Sequence, residues 1–242
     1  MRIVGIIQAR MGSTRLPGKV LRELGGRSVL GWVIRAVREA EVLDDLVVAT
    51  TTLAEDDAVV AECRRLGVAC HRGPVDDVLT RFVQALAGRQ GEAVMRFTAD
   101  CPLLDPAVIR EAALVFRAVP GLGYLSTSLA RTLPRGADVE IVSGAALERA
   151  DREAVAHHRT HVTSYVYTEP GDTRLLGLAY QPAADDLRVT LDTEDDWRLI
   201  SRVVAELGDR CVPVGTLVSW LRARPEVCGL NAHVRQKALQ DA

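Results

Sequence analysis

Ile3-Val4-Gly5-Ile6-Ile7-Gln8-Ala9-Arg10-Met11-Gly12-Ser13-Thr14-Arg15-Leu16-Pro17-Gly18-Lys19 is the stretch that decides the fold class. Its first part, Ile3 to Ala9, is a short β-branched run of the kind that forms a strand buried on both faces. Its second part is a loop holding two glycines, two hydroxyls and three cations, with no acid among them. In an open α/β sheet, ligands gather beyond the carboxyl ends of the strands, and this loop lies there. Glycine lets backbone N–H groups approach phosphate oxygens, and Arg and Lys neutralise them. The alternative, a solvated turn with incidental charges, sits poorly with cations gathered where no carboxylate compensates them. Spacing rejects two other phosphate motifs. Five residues separate Gly12 from Gly18 and Val20 follows Lys19, so this is not a P-loop, and no G-x-G-x-x-G follows the strand.

Outward from the loop, strand and helix patterns alternate. Ser28 is placed to cap a helix whose apolar face uses Val29, Leu30, Val33, Ile34 and Val37. Leu46–Thr51 reads as a strand, Ala54–Leu66 as a helix stopped by Gly67, and Val68–His71 as a third strand. Asp77–Ala87 is a helical stretch and Ala93–Phe97 a fourth strand; Asp105-Pro106 then opens a helix through Phe116. This rhythm predicts an α/β fold with a mostly parallel sheet and helices on both faces. From Gly123 the rhythm changes. Gly123–Thr127, Ala137–Val142, Val162–Thr168 and Arg174–Tyr180 read as strands with few helices between them, a β-rich insertion with mixed pairing. Arg188–Leu191 reads as one more strand, followed by a capped helix from Thr193 to Leu207 and a last helix from Gly215 to Arg224. No linker or repeat interrupts the 242 residues, which read as a single domain.

The bulk numbers exclude several classes. With 48% apolar and 26% charged residues the chain can bury a core. A formal net charge of −2 gives no global basic field for nucleic acid or anionic membrane, so an anionic ligand must be held by local clusters. No apolar run is long enough to span a bilayer. Five scattered cysteines without CxxC spacing fit reduced thiols and a cytoplasmic location. Of 30 basic residues only Lys19 and Lys237 are lysines, so Lys19 is not this chain's default cation.

Ile6 to Leu21, IIQARMGSTRLPGKVL, closely resembles the signature loop of the cytidylyltransferases that activate acidic sugars, the CMP-Kdo and CMP-sialic acid synthetases, and most of all the subgroup named after spore-coat polysaccharide biosynthesis protein F. Further matches are Gly73–Arg81, Arg96–Pro106, Arg159–Tyr167 and Leu191–Trp197. The resemblance implies a three-layer, Rossmann-like nucleotidyltransferase fold of the GT-A-like kind. It makes Arg10, Arg15 and Lys19 triphosphate ligands, with Arg10 and Lys19 taking part in catalysis. It makes Gln8, Ala9, Gly12 and Ser13 parts of the nucleotide cradle, and it brings Arg72, Asp77, Arg81 and Arg96 to the nucleotide pocket. A competing reading makes Asp76 only a helix cap and Arg81 a surface cation.

Asp100 lies in the loop after the fourth strand. A hard cation such as Mg2+ takes one or two carboxylates plus phosphate oxygens and water, which suits Asp100. The resemblance agrees, aligning Asp100 with the metal-binding aspartate of a D-x-P-L motif, while the Asp-Pro cap accounts for Asp105. In the run Asp192-Thr193-Glu194-Asp195-Asp196 the resemblance makes Asp192, taken as the last residue of a strand, the second metal ligand; first-turn acid enrichment is the alternative. His157-His158-Arg159-Thr160-His161 lacks partners at zinc-ligand spacing. Its likeness to an R-x-H-V-T-x-Y stretch points to Arg159 and His161 as acceptor ligands or to a subunit contact. His158 stands where the family pattern has an acid, which leaves the acceptor open.

The implied reaction is attack by an acceptor oxygen on the α-phosphorus of CTP, with Mg2+ as cofactor and pyrophosphate as leaving group. The implied partners are CTP, a small acidic or sugar-like acceptor and a second copy of the chain, with residues 123–180 forming the acceptor or dimer region. Two alternatives stay open: a glycosyltransferase of related fold, and a nucleotide-binding protein without catalysis. No Asp-x-Asp follows the fourth strand to favour the first, and the presence of both Asp100 and Asp192 disfavours the second.

Overall fold

Strand β1 (Ile3–Gln8) is buried along Ile3–Ile7, because neighbours flank it on both edges and helices cover both faces. At Gly5 an added Cβ would lie 2.4 Å from Leu43 Cδ1. The computed structural model describes residues 1–236. After β1 come a short ribbon, β2 (Glu23–Leu24) with β3 (Arg27–Ser28), and helix α1 (Val29–Glu39). The chain continues through β4 (Asp45–Thr51), α2 (Asp57–Arg65), β5 (Ala69–Gly73), α3 (Val78–Leu86), β6 (Ala93–Thr98) and α4 (Pro106–Ala118). The second half holds β7 (Leu122–Ser126), β8 (Glu140–Ser143), α5 (Gly144–Glu153), α6 (His157–Thr160), α7 (Ser164–Thr168) and β9 (Arg174–Gly177). It ends with α8 (Glu194–Leu207), α9 (Val214–Arg222) and α10 (Pro225–Cys228).

The seven-stranded sheet has the order β5-β4-β1-β6-β8-β7-β9. Its first four members are parallel, β8 runs antiparallel to β6 and β7, and β9 is parallel to β7. Alternation along β1 builds three layers. Ile3 and Ile7 pack with Leu30 and Val33 of α1 and Ile109 and Phe116 of α4. Val4 and Ile6 pack on the other face with Leu79 and Phe82 of α3 and Leu147 of α5. A third cluster joins Leu24 and Trp32 to Leu199 and Val203 of α8 and Leu217 of α9. The chain leaves β1 toward β4 on one side and later returns as β6 on the other, so the loop after β1 sits at the switch point where such sheets bind ligands. Among the described residues no helix is long and apolar enough to cross a membrane.

The mostly parallel α/β architecture agrees with the sequence reading, and the caps at Ser28, Asp105 and Thr193 are in place. Three readings change. Val162–Thr168 is not a strand: Val162 and Val166 are buried four residues apart, and Ser164–Thr168 is helical, with Thr168 Oγ1 donating to Ser164 O at 2.8 Å. A period-two pattern of β-branched and aromatic residues fits both structures over so short a span. Among the described residues Arg188–Leu191 pairs through one bridge, Arg135 with Arg188. Pairing stops because the backbones of Gly136 and Val189–Thr190 pack directly together. Gly136 has φ +101°, and a Cβ there would lie 2.5 Å from Thr190 N. Asp192 therefore follows a loop and does not end a strand. Finally, α3 is capped by Asp77, whose Oδ1 accepts from Thr80 N at 2.8 Å, and not by Asp76.

Candidate active site

The loop after β1 is folded onto itself. Gly18 N and Ser13 N both donate to Met11 O, at 3.0 and 2.8 Å, and Ser13 Oγ accepts from Leu16 N at 3.3 Å. Asp56, fully buried at the start of α2, anchors it from outside by accepting from Met11 N at 2.7 Å. Gly18, at φ +70°, turns the chain so that Lys19 points inward from a one-turn helix.

Lys19 is the centre of the site. Its Nζ donates to Asp100 Oδ2 at 2.7 Å, Asp192 Oδ1 at 2.8 Å and Leu191 O at 2.7 Å, with 8% of the residue exposed. Burial works against the charged amine, but the two carboxylates outweigh it and hold the Lys19 pKa above its ordinary value. Asp192 also receives Arg15 Nη2 at 2.9 Å and Arg188 Nη2 at 2.6 Å. Burial alone would raise its pKa; the three cations bring it down to about 2. A backbone bond from Leu191 N to Asp100 O, 2.8 Å, ties the two carboxylate loops together. The structure thus joins Arg15, Lys19, Asp100 and Asp192 at one point, although Asp192 lies on no strand.

Beside this point a cavity of about 250 Å³ opens under the antiparallel half of the sheet, bordered by Thr98, Cys101, Tyr124, Arg135 and His161 among others. Arg96 and Glu140, which face each other in register on β6 and β8, form an ion pair on its floor. Glu140 also accepts from Tyr124 OH and Thr163 Oγ1, both at 2.7 Å, and Arg96 reaches Gln8 Oε1 at 3.2 Å. Burial favours the neutral acid, yet Arg96 and the two hydroxyls hold Glu140 below the usual carboxylate pKa. Burial pushes the Cys101 thiol up to about 12, so it is not poised as a nucleophile.

A sequence model of the cytidylyltransferase family matches residues 4–197. This chain belongs to the cytidylyltransferase family. It is 32% identical over 233 residues to the spore coat polysaccharide biosynthesis protein SpsF of Bacillus subtilis, covering 93% of this chain and 95% of that one. A cytidylyltransferase from Leptospira borgpetersenii superposes with a TM-score of 0.90 at 25% identity, over 98% of this chain and 99% of that one. A CMP:2-keto-3-deoxy-manno-octonic acid synthetase, solved with CTP, shares the fold at a TM-score of 0.64 and 16% identity, over 86% of this chain and all of that one.

In this cytidylyltransferase the remaining sequence candidates fall into two groups. Arg10, Gly12 and Ser13 lie along the loop, with Arg10 and Gly12 exposed; Gln8 and Ala9 lie at the sheet's carboxyl edge, and Arg96 reaches Gln8 from within β6. Arg81 is fully buried behind Gly73; its Nη1 donates to Pro74 O at 2.7 Å, while Nε and Nη2 have no partner among the described residues. Burial first, and then the charge of Arg10, lower its pKa to about 10. Arg72, Asp77 and Arg159 brace the fold. Arg72 donates to Thr51 O at 2.9 Å and Leu53 O at 2.8 Å and pairs with Asp57. Arg159 holds Asp77 at 2.7 Å and Asp151 at 2.9 Å, which fastens α6 to α3.

Two residues that brace Asp192 escaped sequence reasoning. Asp196, fully buried, accepts from the backbone N–H of Asp192 and Thr193 at 2.9 Å each, from Arg188 Nε at 2.9 Å and from Asn231 Nδ2 at 2.8 Å. Arg188 then passes its other arm to Asp192. The i, i+4 spacing of Arg188, Asp192 and Asp196 was the available signal, but it resembles ordinary acid enrichment at a helix start.

Two carboxylates converging on one cation are a hard-oxygen donor set that fits Mg2+ or Mn2+. Among the described residues no cluster of three or more His, Cys, Asp and Glu side chains could hold a metal alone. A divalent ion here would rest on Asp100 and Asp192, with nucleotide oxygens and water completing its shell.

Proposed function

We propose that this protein transfers the CMP moiety of CTP to a hydroxyl of a small sugar-acid acceptor and releases pyrophosphate. The observation that carries this reading is the convergence of Arg15, Lys19, Asp100 and Asp192 next to a polar cavity, which Cys101, the neighbour of Asp100, lines. The names of the relatives add support, since both spore coat polysaccharide and 2-keto-3-deoxy-manno-octonic acid are carbohydrates.

In this reading Arg10, Arg15 and Lys19 draw the triphosphate onto the loop and neutralise the charge that gathers on the departing pyrophosphate. Gln8, Ala9, Gly12 and Ser13 give the nucleotide its cradle, and the orphaned donors of Arg81 lie behind it. Lys19 exchanges its carboxylate partners for phosphate oxygens as nucleotide arrives. Asp100 and Asp192 would hold Mg2+, which when bound supplies a Lewis acid for the α-phosphate. Residues 123–180 supply the acceptor side, so that an acceptor oxygen in the cavity is held in line with the α-phosphorus. The new bond is acceptor oxygen to α-phosphorus, the broken one joins the α-phosphorus to the bridging oxygen, and the hydroxyl proton passes to water.

The test is pyrophosphate release with each of the four ribonucleoside triphosphates, Mg2+ and a panel of sugar acids. CTP is expected to be preferred by at least ~10-fold in kcat/KM, worth about 1.4 kcal/mol. Equal use of all four, or turnover only with a nucleotide-sugar donor, would remove the proposal.

A further inference from the structure

Three arginines line the cavity, and two are already answered. Arg96 pairs with Glu140. Arg131 Nη1 sits 2.6 and 2.8 Å from the two oxygens of Asp138. The side chain of Arg135 makes no hydrogen bond or ion pair with any described residue, so among the described residues the lining has, besides His161, three guanidinium groups against two carboxylates, a net of one positive charge from these five. Burial comes first, and then the like charge of Arg131, in lowering the Arg135 pKa; Arg188 adds to this, and Asp138 and Asp192 offset only part of it. An anion delivered to Arg135 relieves that cost.

The position is held rigidly. Arg135 N donates to Leu187 O at 2.9 Å, and Arg135 O accepts from Val189 N at 2.7 Å. Gly136 closes the contact with Thr190, so Arg135 is fixed relative to the loop that carries Asp192. The rest of the lining is rich in hydroxyls: Thr98, Ser126, Ser128, Thr163 and Tyr167 offer donors and acceptors to a polyhydroxylated body. At about 250 Å³ the space lies below the ~300–1,000 Å³ typical of drug-sized ligands and suits one monosaccharide.

We infer that Arg135 is the residue that selects the acceptor, holding the single carboxylate of a monosaccharide acid while the hydroxyls around the Arg96–Glu140 pair hold its body. This rests on the proposed cytidylyl transfer. A guanidinium fork matches a carboxylate in two parallel hydrogen bonds. A phosphate monoester carries nearly two charges. It would bring one more negative charge than the lining balances, beside Asp138 and Glu140.

The experiment compares the full-length wild type with Arg135→Gln and Arg135→Lys. The probes are hexuronic and 2-keto-3-deoxy sugar acids, their methyl esters, neutral amino sugars and sugar phosphates, each with CTP, and CTP binding is measured separately by calorimetry. The wild type is expected to turn over a sugar acid and to discriminate against its methyl ester. In Arg135→Gln the KM for that acid rises ~10- to 100-fold, the worth of a charge-assisted hydrogen bond, while the KM for CTP stays within about twofold. Arg135→Lys recovers part of the loss. An unchanged acid KM in Arg135→Gln overturns the inference. So does equal use of acid and ester, or a wild type that binds CTP yet uses only neutral or phosphorylated acceptors, or none. A wild type that does not bind CTP overturns the cytidylyl-transfer reading itself, a result the acceptor comparison cannot mimic.

Discussion

At Lys19 one ammonium bridges two carboxylates that would otherwise repel each other in a partly buried site. Removing a single partner from such a cluster typically costs about 3–5 kcal/mol, because an uncompensated charge remains. In the proposed reaction a divalent cation takes those same two carboxylates. Lys19→Ala is therefore expected to lower the unfolding midpoint and, without nucleotide, to make it respond to Mn2+ or Mg2+ more strongly than the wild type does. At a metal concentration 100 times Kd the gain would be ~2.7 kcal/mol. Thermal melts with and without metal check this; an equal response in variant and wild type would mean that Lys19 does not occupy the cation position. That the loop meets Asp100 and Asp192 was legible, since glycines, hydroxyls and cations after a buried strand mark the sheet edge where both carboxylates lie. The intramolecular partners of Arg72 and Arg159 were not. An arginine at a strand end or helix start looks the same in sequence whether it faces a ligand or braces its own backbone.

Among the elements, the N-terminus of α8 is the part that aims Asp192. Thr193 and Asp196 close a capping box, and Asp196 adds the backbone N–H of Asp192 and the guanidinium of Arg188. Asp196→Asn keeps a hydrogen-bonding side chain and loses the charge that fixes Arg188. We expect the apparent Mg2+ requirement of pyrophosphate release to rise ~10-fold, with turnover at saturating metal close to wild type, the pattern of a positioning residue. A collapse of turnover at saturating metal, or an unmoved Mg2+ titration, would contradict that role. The first half of the chain was readable because its strands are buried on both faces and its helices are long, periodic and capped. The second half misled at Val162–Thr168 and Arg188–Leu191, where elements of four or five residues fit two periodicities and a backbone contact at Gly136 decides the outcome.

Across the whole molecule these charges couple the site to stability. Asp192 has a folded pKa of about 2, below its ordinary 3.8, so its contribution is complete above the unfolded value and is lost as pH falls from about 4 toward 2. That displacement is worth about 2 kcal/mol at neutral pH. The stability gap between wild type and Asp192→Asn is expected to narrow by about that amount between pH 5 and pH 2, as read from denaturant unfolding at each pH. A gap that stays constant over this range would place the source of acid sensitivity elsewhere. The fold carries a further consequence in its choice of cations. Lysine carrying carbon-13 at its ε-carbon, incorporated during synthesis of the chain, enters at Lys19 and Lys237 alone, because the other 28 basic residues are arginines. The ammonium that sits between Asp100 and Asp192 is in effect a built-in spectroscopic address, and the proposed hand-over of its partners can be followed by carbon-13 resonance without introducing any mutation.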